Sequence, residues 1–137
     1  MSKRRHNRKQ NRVRQEQGEP VLPLTTSFTD FSQTVTTTDT LTGIAAQNVS
    51  LIGKFAFFVE NLGNNNANVY CELSPDNTHW FMVNGVQLET AAPNNNIILN
   101  NYYNQVWPMF AHYARITYQS STAGNSTQLL IYYQAQS

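Results

Sequence analysis

From about residue 25 onward the pattern of apolar and polar positions is that of β-strands. Thr34-Val35-Thr36-Thr37-Thr38 is rich in β-branched residues, and Phe28 and Phe31 precede it. Phe55-Ala56-Phe57-Phe58-Val59 is a short, continuously apolar run suited to a strand in a sandwich core. Val69-Tyr70-Cys71-Glu72-Leu73 alternates, which puts Val69, Cys71 and Leu73 on one face. Between these two runs lies Asn61-Leu62-Gly63-Asn64-Asn65-Asn66, a turn whose Asn and Gly tolerate positive φ. Ser74-Pro75-Asp76-Asn77 is the clearest turn, and His79-Trp80-Phe81-Met82-Val83 returns from it as the second arm of a hairpin. Asn84-Gly85 is the dipeptide preferred in type I′ turns and predicts another reversal before Val86-Gln87-Leu88. Pro93 and Asn94-Asn95-Asn96 form a loop before Ile97-Ile98-Leu99. Arg115-Ile116-Thr117-Tyr118 and Leu129-Leu130-Ile131-Tyr132-Tyr133 predict a last hairpin around Ala123-Gly124-Asn125.

Some eight short strands with regular turn signals predict an all-β fold, a single antiparallel β-sandwich. A jelly roll is favoured over an immunoglobulin-like fold, because no Cys…Trp…Cys spacing is present. The expected organisation is a basic arm over residues 1–24 and a sandwich over residues 25–137. Pro20-Val21-Leu22-Pro23-Leu24, which ends the arm, favours an extended backbone and suits a docking segment.

Composition sharpens this picture. Charged residues make up 12% of the 137 residues, about half the usual share, and 17 Asn, 11 Gln and 14 Thr supply most of the polarity. Long amphipathic helices and coiled coils are therefore excluded. With 40% apolar and 12% aromatic residues, so is a fully disordered chain. No apolar run approaches the roughly 18 residues that a helix needs to cross a bilayer, which argues against membrane insertion.

The net charge of +1 hides a division. Lys3, Arg4, Arg5, Arg8, Lys9, Arg12 and Arg14 give residues 1–19 a charge of +5 against Glu16 and Glu19. Residues 20–137 hold only Lys54 and Arg115 as bases and carry −4. By itself so polar an arm buries too little to offset its ordering entropy. Its charged start leads into no apolar stretch, so it does not read as a secretory signal, and the protein is expected to start in the compartment that makes it.

Catalytic candidates are sparse. Cys71 and His79 flank the Ser74–Asn77 turn, which invites a thiol-nucleophile reading; the face shared with Val69 and Leu73 makes Cys71 a small core residue instead. His79 and His112 have no carboxylate at a ligand-like spacing, and no phosphate loop or nucleophile elbow is present. The expectation is no enzyme, no metal and no cofactor. Trp80, Trp107, Tyr102, Tyr103, Tyr132 and Tyr133 would suit either a sugar-stacking platform or packing within and between sheets. Seven cations within twelve positions suit phosphate neutralisation, as in a small jelly-roll RNA-virus coat protein, or an assembly tail that settles on the acidic body of another copy.

Four segments together resemble a known family: Phe57-Phe58-Val59-Glu60-Asn61-Leu62-Gly63, Ser74-Pro75-Asp76-Asn77-Thr78-His79-Trp80, His112-Tyr113-Ala114-Arg115-Ile116-Thr117-Tyr118 and Ile131-Tyr132-Tyr133-Gln134-Ala135-Gln136. In order and spacing they resemble the small spore-associated β-sandwich domains of spore-forming Firmicutes, which are similar to endospore appendage subunits. The resemblance implies a jelly-roll subunit that polymerises into fibres on the spore surface, exosporium or coat, held there by an anchor protein. It also implies an N-terminal connector that docks on a neighbouring subunit, and residues 1–24 occupy that position, with Val21, Leu22 and Leu24 as anchors. The better-known appendage subunits carry cysteines in the connector, and this arm has none.

Overall fold

The computed structural model describes residues 27–103 and 107–137. The described residues contain strands and no helix: β1 (Phe28–Thr36), β2 (Thr42–Gly43), β3 (Gln47–Asn48), β4 (Lys54–Asn61), β5 (Ala67–Ser74), β6 (Phe81–Leu88), β7 (Asn96–Asn100), β8 (Tyr102–Tyr103), β9 (Trp107–Pro108), β10 (Tyr113–Ser120) and β11 (Gln128–Gln136). One sheet has the order β1-β11-β4-β7; the other has the order β2-β10-β5-β6, with β3 also on β10. Every pairing is antiparallel. After β4 the chain crosses to the second sheet for β5 and β6, returns for β7, crosses again for β10 and comes back for β11. A four-stranded and a five-stranded antiparallel layer wound in this way form a jelly-roll-like sandwich, as the strand pattern predicts.

Alternation builds the core. Phe55, Phe57 and Val59 of β4 and Leu129, Ile131, Tyr133 and Ala135 of β11 are buried on the inner face of the first sheet. Across the gap lie Val69, Cys71 and Leu73 of β5 with Ala114, Ile116 and Tyr118 of β10. The Tyr133 ring sits 5.3 Å from Phe31, 5.0 Å from Phe57 and 6.3 Å from Phe55, an aromatic cluster in tilted geometry.

Three sequence expectations need correction. Asn84-Gly85 makes no turn and lies inside β6. Gly85 pairs with Tyr70, and a Cβ there would meet Tyr70 Cδ1 at 2.5 Å, so glycine is required by the overlying ring and not by a reversal. Arg115–Tyr118 and Leu129–Tyr133 form no hairpin, because β10 belongs to one sheet and β11 to the other. Only the turn itself survives, with Gly124 at φ 83° and its N–H donated to Asp39 Oδ1 at 2.8 Å. Gly63 needs no positive φ either; a Cβ there would collide with the Thr127 hydroxyl.

Crossing between sheets forgoes hairpin hydrogen bonds, and side-chain amides replace them. At one end Asn61, 2% exposed, donates from Nδ2 to the carbonyls of Asn65 (2.8 Å) and Glu89 (2.9 Å). Its Oδ1 accepts from Gly63 N (3.1 Å) and Thr127 Oγ1 (2.8 Å). Thr127 N in turn donates to Thr37 Oγ1 at 2.9 Å, and Thr37 Oγ1 meets Ser120 Oγ at 2.9 Å. This chain of bonds ties β1, β4 and the approach to β11 to β10 and the end of β6. At the opposite end Asn101 Oδ1 accepts from Phe55 N (3.1 Å), while its Nδ2 donates to the carbonyls of Gly53 (3.3 Å) and Met109 (3.2 Å).

Asn61→Ala strips four bonds at once and leaves buried partners unsatisfied, so it is expected to destabilise the fold by about 2–4 kcal/mol. Urea denaturation checks this. Asn61→Asp, which keeps the acceptors and loses both donors, is expected to destabilise as well.

Candidate functional site

Cys71 is fully enclosed between the sheets, and burial, with a smaller contribution from the Glu72 carboxylate, pushes its thiol up to about 12. A thiol held protonated in an apolar layer is no nucleophile. His79 lies on the exposed connection between β5 and β6, away from it.

His79 does have a carboxylate beside it, three positions back in the turn: its Nδ1 is 2.6 Å from Asp76 Oδ2. The turn wraps around Asp76, whose Oδ1 accepts from the backbone N–H of His79 (2.8 Å) and Thr78 (2.9 Å) and from Ser74 Oγ. The His79 backbone bond, then the His79 ring, then the Thr78 N–H hold the Asp76 carboxyl well below its usual range. Asn77, at φ 64°, makes the tight reversal possible. His112 pairs with Ser50 Oγ at 2.8 Å. Among the described residues no three His, Cys, Asp or Glu side chains come together around a point.

The aromatic candidates are dispersed. Tyr133 is in the core. Half-buried Trp80 stacks under the Arg115 guanidinium, 3.9 Å from the ring centroid, and Arg115 Nε donates to Glu72 Oε1 at 2.8 Å on the second sheet. Tyr132 faces outward from the first sheet. Tyr102 and Tyr103 form β8 and Trp107 begins β9, and their side chains lie outside the described residues. No single platform unites Trp80, Tyr132 and Tyr133.

What the fold does assemble is an apolar outer face on the β1-β11-β4-β7 sheet. Register places Ser32, Tyr132, Phe58 and Ile98 in one row across the four strands. Ile98 is 58% and Tyr132 47% exposed. With Glu60, Asn96 and Gln134 they line a groove of about 430 Å³. A second groove of about 270 Å³ adjoins it through Gln134 and runs past Ala56, Asn100, Gln136 and the charged Lys54 to Phe28, the first residue of β1. Nothing in the sequence joined Phe58, Ile98 and Tyr132; the period-2 alternation of each strand is the only signal that could have found them.

The sheet margins are also open. Edge strands β6 (FMVNGVQL) and β7 (NIILN) contain no charged residue and no proline, and edge strand β1 contains only Asp30. Monomeric proteins commonly blunt such edges with Lys, Pro or inward charges. Phe81 and Met82 of β6 are each 64% exposed. The anchors Val21, Leu22 and Leu24 and the basic residues Lys3, Arg4, Arg5, Arg8, Lys9, Arg12 and Arg14 lie outside the described residues.

A family model described as a domain of unknown function, DUF6385, matches residues 48–137. The chain belongs to the DUF6385 family. No curated protein matches the sequence. Among solved structures, this DUF6385 chain is similar to a subunit of the Bacillus endospore appendages, described as a family of disulfide-linked pili, with TM-score 0.53 and 13% identity over 81% of this chain and 88% of that one. It is also similar to PirA, with TM-score 0.55 and 16% identity over 77% of this chain and 94% of that one. The jelly-roll fold is thus shared with the appendage subunit, as the sequence resemblance implied.

The raised Cys71 pKa sets a pH dependence. The folded state holds the proton that the unfolded thiol loses near 9, so the contribution to stability is full below pH 9 and is lost as pH rises toward about 12. Denaturation midpoints are expected to fall over that interval in the wild type, and to fall less in Cys71→Ala.

Proposed function

We propose that this DUF6385 protein is a non-enzymatic structural subunit that polymerises with copies of itself, its residues 1–24 docking on a neighbouring subunit. The observation that carries this reading is the sparsely charged surface of the sandwich: β6 and β7 edges without a charged residue, together with an outer face centred on Phe58, Ile98 and Tyr132. Edges of this kind can pair with a strand of a neighbouring subunit through backbone hydrogen bonds, and the apolar outer face can take the side chains of a docked segment. Val21, Leu22 and Leu24 are the anchors of the connector. Charge assists, since an arm of +5 meets a body of −4. Head-to-tail docking is heterologous and yields an open helical filament or a closed ring.

Similarity in fold to an endospore appendage subunit supports placing the polymer on the spore surface, attached through a coat or exosporium anchor protein. The chemistry of the link differs. Those pili are described as disulfide-linked, whereas the single cysteine of this sequence is buried in the core. The polymer proposed here is therefore non-covalent, and reducing agent is expected to leave its length unchanged in negative-stain micrographs.

Deletion of residues 1–24 tests the connector. The expected outcome is a folded, dispersed sandwich that forms no filaments; filaments of normal length from the truncated chain would refute the reading. The clustered cations of the arm favour a second possibility, a coat protein that packages RNA. Assembled material with a nucleic-acid absorbance ratio that falls as salt rises would support that alternative, and a protein-like ratio would exclude it.

A further inference from the structure

The grooves on the outer face of the β1-β11-β4-β7 sheet form one track. It begins at Phe28, the first residue of β1, passes Gln134 and ends between Phe58 and Ile98. The chain therefore enters the sandwich at the mouth of its own groove. The residues immediately upstream are Pro20-Val21-Leu22-Pro23-Leu24-Thr25-Thr26-Ser27, the one apolar stretch between the basic arm and the sandwich.

Reach permits docking within one molecule. The Tyr132–Phe58–Ile98 row lies at the level of Ser32, four residues along β1 from Phe28 and so roughly 13 Å away. Strands about 4.8 Å apart place Ile98 roughly 14 Å across the sheet from β1, about 20 Å in all on the diagonal. Eight residues in polyproline II conformation cover about 25 Å at ~3.1 Å each.

Sequence chemistry favours the face over an edge. Pro20 and Pro23 are three residues apart, so whichever side of an added strand met the ladder, one missing N–H would fall on it. Docking on a face uses side chains and does not need those donors. Glu60 on the rim has no ion-pair partner among the described residues, and the nearest cation of the arm, Arg14, lies six residues before Pro20, beyond Glu16 and Glu19, so docking rests on the apolar side chains and on reach.

We propose that in the free subunit the groove formed by Phe58, Ile98 and Tyr132 is occupied by Val21, Leu22 and Leu24 of the same chain. The tether gives the intramolecular contact an effective concentration in the millimolar range, so dilute subunits hold their own segment and release it to a neighbour on assembly. Polymerisation is then an exchange of one docked segment between copies. The occupant rests on the reading of residues 20–24 as the connector, and the exchange adds to that reading a brake on premature assembly.

Isotope-filtered NMR on the full-length chain at low concentration tests this. In uniformly labelled protein the methyl groups of Val21, Leu22 and Leu24 are expected to show ring-current shifts and nuclear Overhauser cross-peaks to the Tyr132 and Phe58 rings. In a mixture of labelled and unlabelled chains the intermolecular cross-peaks are expected to be missing. Ile98→Asp, a change at an exposed position, and Leu24→Asp should each return the methyl shifts to random-coil values. Methyl groups already at those values in the wild type, or cross-peaks found only between molecules, would overturn the proposal. Normal filaments from a chain without the intramolecular cross-peaks would leave the connector reading standing and remove this one alone.

Discussion

The structure depends on closing two sheets at points where the chain crosses between them. A jelly roll cannot staple its layers with hairpins, since β4 leads into β5 and β10 into β11 across the gap. Asn61 and Asn101 do this work at opposite ends, each with a buried amide that both donates and accepts. An uncharged Asn or Gln amide offers two donor hydrogens and an acceptor oxygen on one group, more donors than a hydroxyl can supply. Fixing the crossings holds the inner faces in register and lets Phe57, Ile131, Val69 and Ile116 pack without polar intrusion. In sequence these two amides look like any other Asn of a polar, loop-rich chain.

That explains which parts of the fold were legible. Strand character is a local property: the apolar run Phe55–Val59, the alternating Val69–Leu73 and the runs Arg115–Tyr118 and Leu129–Tyr133 correctly marked β4, β5, β10 and β11, and the alternation of β5 marked the inward face of Cys71. Partner choice is not local. Leu129–Tyr133 follows Arg115–Tyr118 across a good turn, yet the two strands go to different sheets, and no signal inside either strand says so. Asn84-Gly85 misled because dipeptide preference reports backbone freedom, while the reason for Gly85 is the Tyr70 ring on the neighbouring strand. The Asp76–His79 pair was missed because a bend, not a helix or strand, brings positions three apart into contact. The apolar row was invisible for the same reason as the pairings: Phe58, Ile98 and Tyr132 belong to three strands that adjoin only in the folded sheet.

Taken together, these features describe a body whose interior is satisfied and whose exterior is not. Among the described residues the buried side-chain polar atoms are paired apart from the Thr117 hydroxyl, and the single thiol is locked in the core. Outside, the charge that normally keeps sheet edges apart is scarce: among the described residues the only cations are Lys54 and Arg115, and Arg115 is committed to Glu72 and Trp80. Cations are concentrated instead in the first 14 residues, followed by a short proline-bounded apolar segment. The scarcity of charge on the sandwich and the concentration of cations in the N-terminal segment are the two features on which the proposed self-assembly rests.

Electron cryomicroscopy of the assembled protein tests that claim most directly. The account predicts a polymer in which density for Val21, Leu22 and Leu24 runs continuously from one subunit onto the sandwich of another. A polymer held together entirely by contacts among residues 27–137, with no density for those three side chains against a neighbour, would contradict it.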